Sequence, residues 1–385
     1  MSEPRILIDA RKLGDGGIGT YIQNLIDGMI SLRDKAQTNL RYSILIGKHT
    51  QVPARWHGAV EVYETNEGKY SLAEYCLLAR RNREIFKRHE LFHSPHYTLP
   101  YNLDLPAVVT VHDLIHITHP DTFYHAPAAK FLIASAIKRA SAVISVSQHS
   151  CNQLAEHFPT SIGKTYLTYN STRCGLGVGE RYYGKINQER NVLGFVGSDR
   201  PHKGFQTFIH AYAQAAQSLA KSSAVRLPRV VVVGGRFSRK TRVEALQLIP
   251  TIEFRSELVG NALLQTLAAF GMVCISSKAE GFGLVALEAL ATGTRVICSP
   301  LPSLREVCGE QAYFASDFSE QALTQALLKA LTDTDEHQRQ LVNQGLLQSQ
   351  KFSRRAQAQA TLQVYERVLN QQLFFNLEPD QAQAA

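Results

Sequence analysis

Short apolar runs alternate with segments of helical spacing along most of this chain, and the alternation stops once and then restarts. The first half holds RILIDA (5–10), YSILIG (42–47), VEVYE (60–64), AVVTVHDLIH (107–116) and AVISVS (142–147). The second holds VLGFVG (192–197), RVVVVGG (229–235), TIEFRS (251–256), MVCISS (272–277) and RVICS (295–299). Runs of this kind are buried strands, and strands separated by helices pair in parallel. The chain therefore predicts two doubly wound α/β halves. Residues 171–190, polar and glycine-rich, read as the linker between them. The expected division is a first domain over 1–170, the linker, a second domain over 191–355 and a closing helical segment over 356–385. Ligands of such sheets bind outside the carboxyl ends of the strands, so two halves predict a cleft.

Composition removes several classes. With 44% hydrophobic and 19% charged residues the chain reads as a soluble globular protein. No apolar run reaches the ~18–20 residues that span a bilayer. The start, MSEPRILIDAR, has an acid and a proline before the first strand and does not read as a signal peptide. Six scattered cysteines (76, 151, 174, 274, 298, 308) with no CxxC pair fit a reduced, cytoplasmic compartment. A net charge of +8 suits an anionic ligand, a membrane surface or nucleic acid. Neither zinc-finger spacing nor an RNP-type strand is present, so no nucleic-acid partner is expected. Arg80, Arg81, Arg83, Lys87 and Arg88, with Leu77, Leu78, Ile85 and Phe86, predict a basic amphipathic helix over 77–89. It reads either as a solvated face or as contact with anionic lipid.

Residues 276–300 (SSKAEGFGLVALEALATGTRVICSP) predict strand, glycine turn, helix and strand. Glu280 falls before the helix and Glu288 in its second turn, ~12 Å apart along the axis. That is too far to share a proton, and wider than the ~5–5.5 Å of a retaining hydrolase pair. It suits the two ends of an elongated ligand, with the N–H groups of Phe282, Gly283 and Leu284 facing an anion between them. Singly, the two acids also read as a helix-terminus acid and a surface glutamate. Lys203, in GSDRPHKGF (197–205), follows the first strand of the second half. There it and Arg200 can neutralise a diphosphate.

His112 ends a strand of the first half and reads as a histidine touching substrate or as a structural one. With His116 and His119 it invites a metal reading, but a strand followed by a turn does not converge these rings. Asp333 and Asp335 mimic an Asp-x-Asp metal pair in a polar helical stretch with no strand before it. No metal site is expected. Gly14, Gly16 and Gly19 match the dinucleotide spacing. However, Arg11, Lys12 and Leu13 intervene after the strand, and the second strand runs into Lys48 and His49 instead of an acid. A loop that lets another ligand's phosphates approach the backbone fits better.

The block Glu280-Gly281-Phe282-Gly283-Leu284 with Glu288, seven residues between the glutamates, resembles the donor-site signature of the family 4 retaining glycosyltransferases. GDGGIGTY (14–21), VHDL (111–114), FVGSDRPHKG (195–204) and the ISS–EGFG link match at the family's distances. FSRRAQAQATLQVYERVL (352–369) resembles the family's closing helix. The resemblance implies the GT-B fold, two Rossmann-like doubly wound parallel-sheet domains facing across a cleft, with the last helix crossing back toward the first. It implies that Glu280 holds the donor sugar's hydroxyls and Glu288 the ribose. The 282–284 backbone, with Gly281 in the turn, and Lys203 would hold the diphosphate, Gly16 and Gly17 would approach it from the first domain, and His112 would contact the transferred sugar near its 6-position. The base would sit near 255–260. Ser198 departs from the family's usual Gly-Arg, and Arg200 is the nearby charge that can replace it.

The implied activity is retaining transfer of a hexose from a nucleotide-diphosphate sugar, of GDP-mannose or UDP-hexose type, to a saccharide or lipid-linked saccharide. Attack is expected on the same face, with no metal and no cofactor, and the catalytic roles fall to Glu280, His112 and Lys203. The acceptor is expected in the first domain around 65–101, where Tyr70, His93, His96 and Tyr97 offer polar aromatic contacts. With the basic helix nearby, the expectation is a cytoplasmic enzyme of polysaccharide or lipopolysaccharide synthesis with peripheral membrane contact. The alternatives are a nucleotide-sugar 2-epimerase on the same fold, a NAD-dependent dehydrogenase resting on the glycine spacing, and a binding protein with a decayed site.

Overall fold

The computed structural model describes residues 3–35, 37–120, 125–173, 191–220, 226–235 and 237–376. It divides into two compact units, Met1–Ser171 with Arg354–Ala385, and Thr172–Ser353. Nearly all of the expected linker over 171–190, from residue 174 on, lies outside the described residues.

The first unit holds seven strands: β1 (Arg5–Asp9), β2 (Arg41–Gly47), β3 (Glu61–Thr65), β4 (Leu91–Ser94), β5 (Ala107–Val111), β6 (Ala142–Ser145) and β7 (Thr165–Leu167). Their order is β3-β2-β1-β4-β5-β6-β7, and the pairings are parallel. The second unit holds β8 (Val192–Val196), β9 (Arg229–Val233), β10 (Glu253–Arg255), β11 (Met272–Ile275), β12 (Arg295–Cys298) and β13 (Tyr313–Phe314). Their order, β10-β9-β8-β11-β12-β13, is again parallel. The two sheets share one winding rule. Each starts in the middle, winds to one edge, then returns and winds to the other. The direction reverses between β1 and β4 in the first unit and between β8 and β11 in the second. In such sheets the crevice for a ligand opens at the carboxyl ends of the strands at that reversal.

Central strands are apolar on both faces, which is what helices on both sides require. Ile6, Leu7 and Ile8 of β1 are fully buried, as are Val230 and Val232 of β9. An aromatic group anchors the second unit, with Phe195 packed on Phe205 at 5.0 Å and on Phe208 at 5.3 Å between ring centroids. Phe237 adds a fourth ring, 4.8 Å from Phe205.

The helix Arg354–Asn376 belongs to the first unit and packs on the helix Gly16–Asp34. Gly28 makes that approach possible, since a Cβ there would meet Arg354 O at 2.4 Å and Ala358 Cβ at 2.8 Å. Asp27, one residue earlier, accepts from Arg55 Nε at 2.8 Å, from Trp56 Nε1 at 2.7 Å and pairs with Arg354 at 3.2 Å. One carboxylate thus ties three segments together. Tyr365 of the same helix reaches His93 Nδ1 at 2.6 Å, inside the core.

The basic helix expected over 77–89 is two short helices, Leu72–Arg81 and Arg83–Phe86. Asn82 causes the break. Its side-chain amide donates to Thr65 Oγ1 at 3.1 Å and Glu67 Oε2 at 3.2 Å, partners off the helix, and shares with its own backbone N–H the Leu78 carbonyl one turn back, at 2.9 Å. The five basic residues are all exposed. Arg81 is held by Glu67 and Lys87 by Glu84. No helix among the described residues is long and apolar enough to cross a membrane.

Candidate active site

The reversal point of the second unit brings Lys203 and Glu280 together. Lys203 lies in the turn after β8, and its Nζ donates to Glu280 Oε1 at 2.7 Å. Ser277 Oγ donates to the same oxygen at 2.7 Å, and Ser303 Oγ holds the Glu280 carbonyl at 2.9 Å. The two loops are sewn together by backbone as well. Lys278 N donates to His202 O at 2.7 Å, and Ser276 Oγ to Gly204 O at 2.8 Å. The Glu280 and Lys203 side chains keep 16% and 28% of their surface exposed, so the pair is held in place yet reachable.

After Glu280 the chain turns through Gly281, Phe282 and Gly283 into the helix Leu284–Ala291. Gly283 holds φ +99, and a Cβ on it would meet Leu304 Cδ2 at 2.6 Å. Only glycine fits both demands. Phe282 is buried against Phe352, with ring centroids 5.5 Å apart. No side chain caps this helix. Its first N–H groups have no intrahelical acceptor, and they carry the positive end of the helix dipole. Ser198 and Arg200 are half-buried in the loop that carries Lys203. Asp199 between them accepts from Ser238 N at 2.7 Å and Thr241 Oγ1 at 3.2 Å, which fixes the loop against the start of the helix Arg239–Leu248.

Glu288 lies in the second turn of the helix but is not a surface glutamate, being only 6% exposed. Burial pushes its carboxyl up to about 7, against the opposing pull of Arg173. The raised value favours the protonated carboxyl relative to an ordinary glutamate, which adds a donor to its acceptor oxygens.

The reversal point of the first unit carries more charge, nearly all of it buried. Asp9 ends β1. Arg11 donates to it from Nε at 2.9 Å and from Nη2 at 2.6 Å, and also to Glu74 Oε1 at 2.8 Å. Burial alone would raise the Asp9 carboxyl, but Arg11 and then His96 outweigh it and hold it well below the usual carboxylate range. Thr98 N donates to His96 Nδ1 at 3.3 Å, so the proton sits on Nε2, which faces Asp9 at 3.3 Å. Asp9, Glu74 and His96 are close enough to share a metal ion. The Arg11 guanidinium already bridges the two carboxylates and is the resident cation.

Two of the residues expected to face an acceptor do not present their rings to solvent. His93 is fully buried between Tyr365 and Thr110, whose Oγ1 lies 2.9 Å from Nε2. His96 is 1% exposed and belongs to the Asp9 group. Strand β4 and the turn after it point both side chains into the unit. Tyr70 is exposed and Tyr97 half-buried, with ring centroids 6.1 Å apart. His112 follows β5 and is half-buried. Its Nε2 faces Pro95 O at 2.9 Å, so Nε2 carries the proton and Nδ1 is left as an acceptor. Burial pushes this imidazole down to about 4, which keeps it neutral at ordinary pH. Gly16 and Gly17 are exposed at the start of the Gly16–Asp34 helix, whose N-cap, Asp15, makes no side-chain cap and pairs with Lys69 at 2.7 Å instead. Asp333 is structural. It accepts from the Tyr313 hydroxyl and faces His337 Nδ1, at the start of the helix Asp335–Gln350.

Residues 181–347 match the family model for glycosyl transferases group 1. That stretch contains Lys203, Glu280, the glycine turn and Glu288. The chain is 26% identical over 246 residues to the O-antigen chain mannosyltransferase RfbU of Salmonella typhimurium, covering 63% of this chain and 65% of that relative. It is 24% identical over 371 residues to O-antigen chain mannosyltransferase B of Escherichia coli, covering 88% and 92%. The chain is thus similar to glycosyltransferases in sequence, and it has the GT-B fold. Solved structures with this GT-B fold include the sucrose-phosphate synthase of Thermosynechococcus elongatus, at a TM-score of 0.70 and 18% identity over 96% of this chain and 99% of that one. Anabaena HepE, solved in complex with UDP and glucose, gives 0.69 and 19% over 95% and 100%. The glycosyltransferase WaaG gives 0.63 and 18% over 95% and 98%.

Proposed function

We propose that this chain is a retaining hexosyltransferase. It moves a hexose from a nucleotide-diphosphate sugar, of GDP-mannose or UDP-hexose type, to a saccharide or lipid-linked saccharide, and it needs no metal. The observation that carries this reading is the Lys203–Glu280 pair beside the uncapped helix Leu284–Ala291. Breaking the sugar–phosphate bond builds negative charge on the leaving diphosphate. Lys203 Nζ has three donors and gives one to Glu280, leaving others for diphosphate oxygens. The helix N-terminus adds fixed dipoles that need no rearrangement when the charge appears. Glu280, with one oxygen held by Lys203 and Ser277, offers the other to a sugar hydroxyl, and Glu288 takes the ribose. Ser198 and Arg200 flank the diphosphate. His112 offers its neutral Nδ1 to a hydroxyl of the transferred sugar. As the C1–O bond to phosphate breaks, the acceptor oxygen bonds to C1 on the same face and its proton passes to the leaving phosphate.

The relatives named for O-antigen mannose transfer favour mannose and a surface polysaccharide. The exposed basic group of residues 80–88 supports docking on an anionic cytoplasmic membrane face, at ~1 kcal/mol per basic residue. A thermal-shift panel of UDP, GDP, dTDP and ADP tests the donor site. One of them should raise apparent stability by ~2.7 kcal/mol at a hundredfold excess over its Kd. No stabilisation by any of the four would sink the reading. Product anomer by NMR, turnover in chelator and co-sedimentation with anionic vesicles test stereochemistry, metal independence and docking in turn.

A further inference from the structure

Lys12, three residues past the end of β1, is fully buried. Its Nζ has no hydrogen-bond partner among the described residues. An ammonium group sealed from water with no acceptor is an arrangement that folded chains normally avoid. Arg11, next to it, shows how this chain treats a structural cation, with bonds to Asp9, Glu74 and the Glu67 carbonyl. Lys12 instead points at the face of the Tyr70 ring, 3.3 Å from its centroid. Tyr70 is 52% exposed and holds φ +54, a left-handed backbone that a tyrosine adopts only under constraint. Its N–H is held by Glu74, and Ser71 after it caps the helix Leu72–Arg81. The ring is therefore a constrained cover, with water on one side and, on the other, an ammonium that rests on its π face without a hydrogen bond among the described residues.

We infer that Lys12 and Tyr70 form a covered saccharide subsite at the β1 and β4 strand ends, where the tyrosine ring swings aside and hydroxyls of a neutral acceptor hexose take the Lys12 N–H donors. This rests on the reading that the first unit takes the acceptor. The surrounding charge selects a neutral sugar over an anion. Asp9, Asp15 and Glu74 act on Lys12, and Asp113 acts on Tyr70, against the cations Arg11, Lys12 and Lys69. A phosphate or uronate brought here meets those carboxylates, whereas a polyol leaves the balance undisturbed. Burial also pushes the Lys12 ammonium down to about 7, so its value to a neutral oxygen is as a donor more than as a charge.

The test uses the full chain with a nucleoside diphosphate present, and saturation-transfer NMR with the methyl α-glycosides of mannose, glucose and galactose. Methyl phosphate is the anionic competitor. At least one glycoside should receive saturation, and Lys12→Met should weaken it about tenfold, the size of one lost hydrogen bond. Tyr70→Gly removes the cover, tolerates the left-handed backbone and should bind the same glycoside several-fold tighter. The inference is overturned if no glycoside binds wild type or Tyr70→Gly, if binding survives Lys12→Met, or if methyl phosphate displaces the sugar. Nucleoside-diphosphate affinity, read in the same samples, should stay unchanged in both variants. Its absence in wild type would count against the glycosyltransferase reading and leave the subsite standing on the glycoside result.

Discussion

The two sheets reverse at equivalent places and fill those places in opposite ways. At β8 and β11 there is a single ion pair, Lys203 with Glu280, partly open to water and set beside a bare helix terminus. At β1 and β4 there is a buried group in which Asp9, Arg11, Glu74, His96 and Thr98 satisfy one another. The same topology thus supports two uses of charge. One is left unfinished so that a ligand's charge can complete it. The other is completed internally and braces the loops around it, while Lys12 beside it has no hydrogen bond among the described residues.

Arg11→Met should break this contrast hardest. It strands the Asp9 and Glu74 carboxylates and should cost about 3–5 kcal/mol in denaturant unfolding. Lys203→Ala and Glu280→Ala should do the reverse. Each should lower transfer by ~10²–10³-fold, the size of one lost transition-state hydrogen bond, with stability changed by less than ~1 kcal/mol. If Lys203→Ala unfolds the protein more readily than Arg11→Met, the contrast is wrong. Glu288 sharpens it through pH. Its folded value, about 7, lies above the usual 4.5, so its stabilising share is full below 4.5 and is lost as pH rises to 7. The loss is up to about 3 kcal/mol, and Glu288→Gln should flatten that part of the stability–pH curve. The smallest effect belongs to the brace around Tyr70. Ser71→Ala removes the cap on Glu74 N, 3.0 Å long, and should cost about 1 kcal/mol by thermal melting.

The sequence shows the paired sheets plainly, because buried parallel strands are apolar without interruption. It also shows the donor side, where Glu280, the glycine turn and Glu288 sit within one short stretch. The first-unit group was harder to see because its members come from residues 9, 11, 74, 96 and 98, and no spacing links them. Arg11 and Lys12 look like mere interruptions of a glycine motif. The signal they do carry is their position, two cations directly after a fully apolar strand. His93 had a similar signal, a lone polar ring inside the run LFHS, which marks a core histidine better than a surface one. Asn82 carried none, since its helix-breaking partners Thr65 and Glu67 lie well before it in the chain.

The contact between His93 and Tyr365 joins residues 272 positions apart. During synthesis the first unit emerges early but lacks the helix that covers Gly28 and occupies His93. It must wait while the whole second unit is made, on the order of ten seconds or more at ribosomal rates. The part of the chain born first is therefore finished last, and a chain cut short before residue 354 would hold all of the second unit and an unfinished first one.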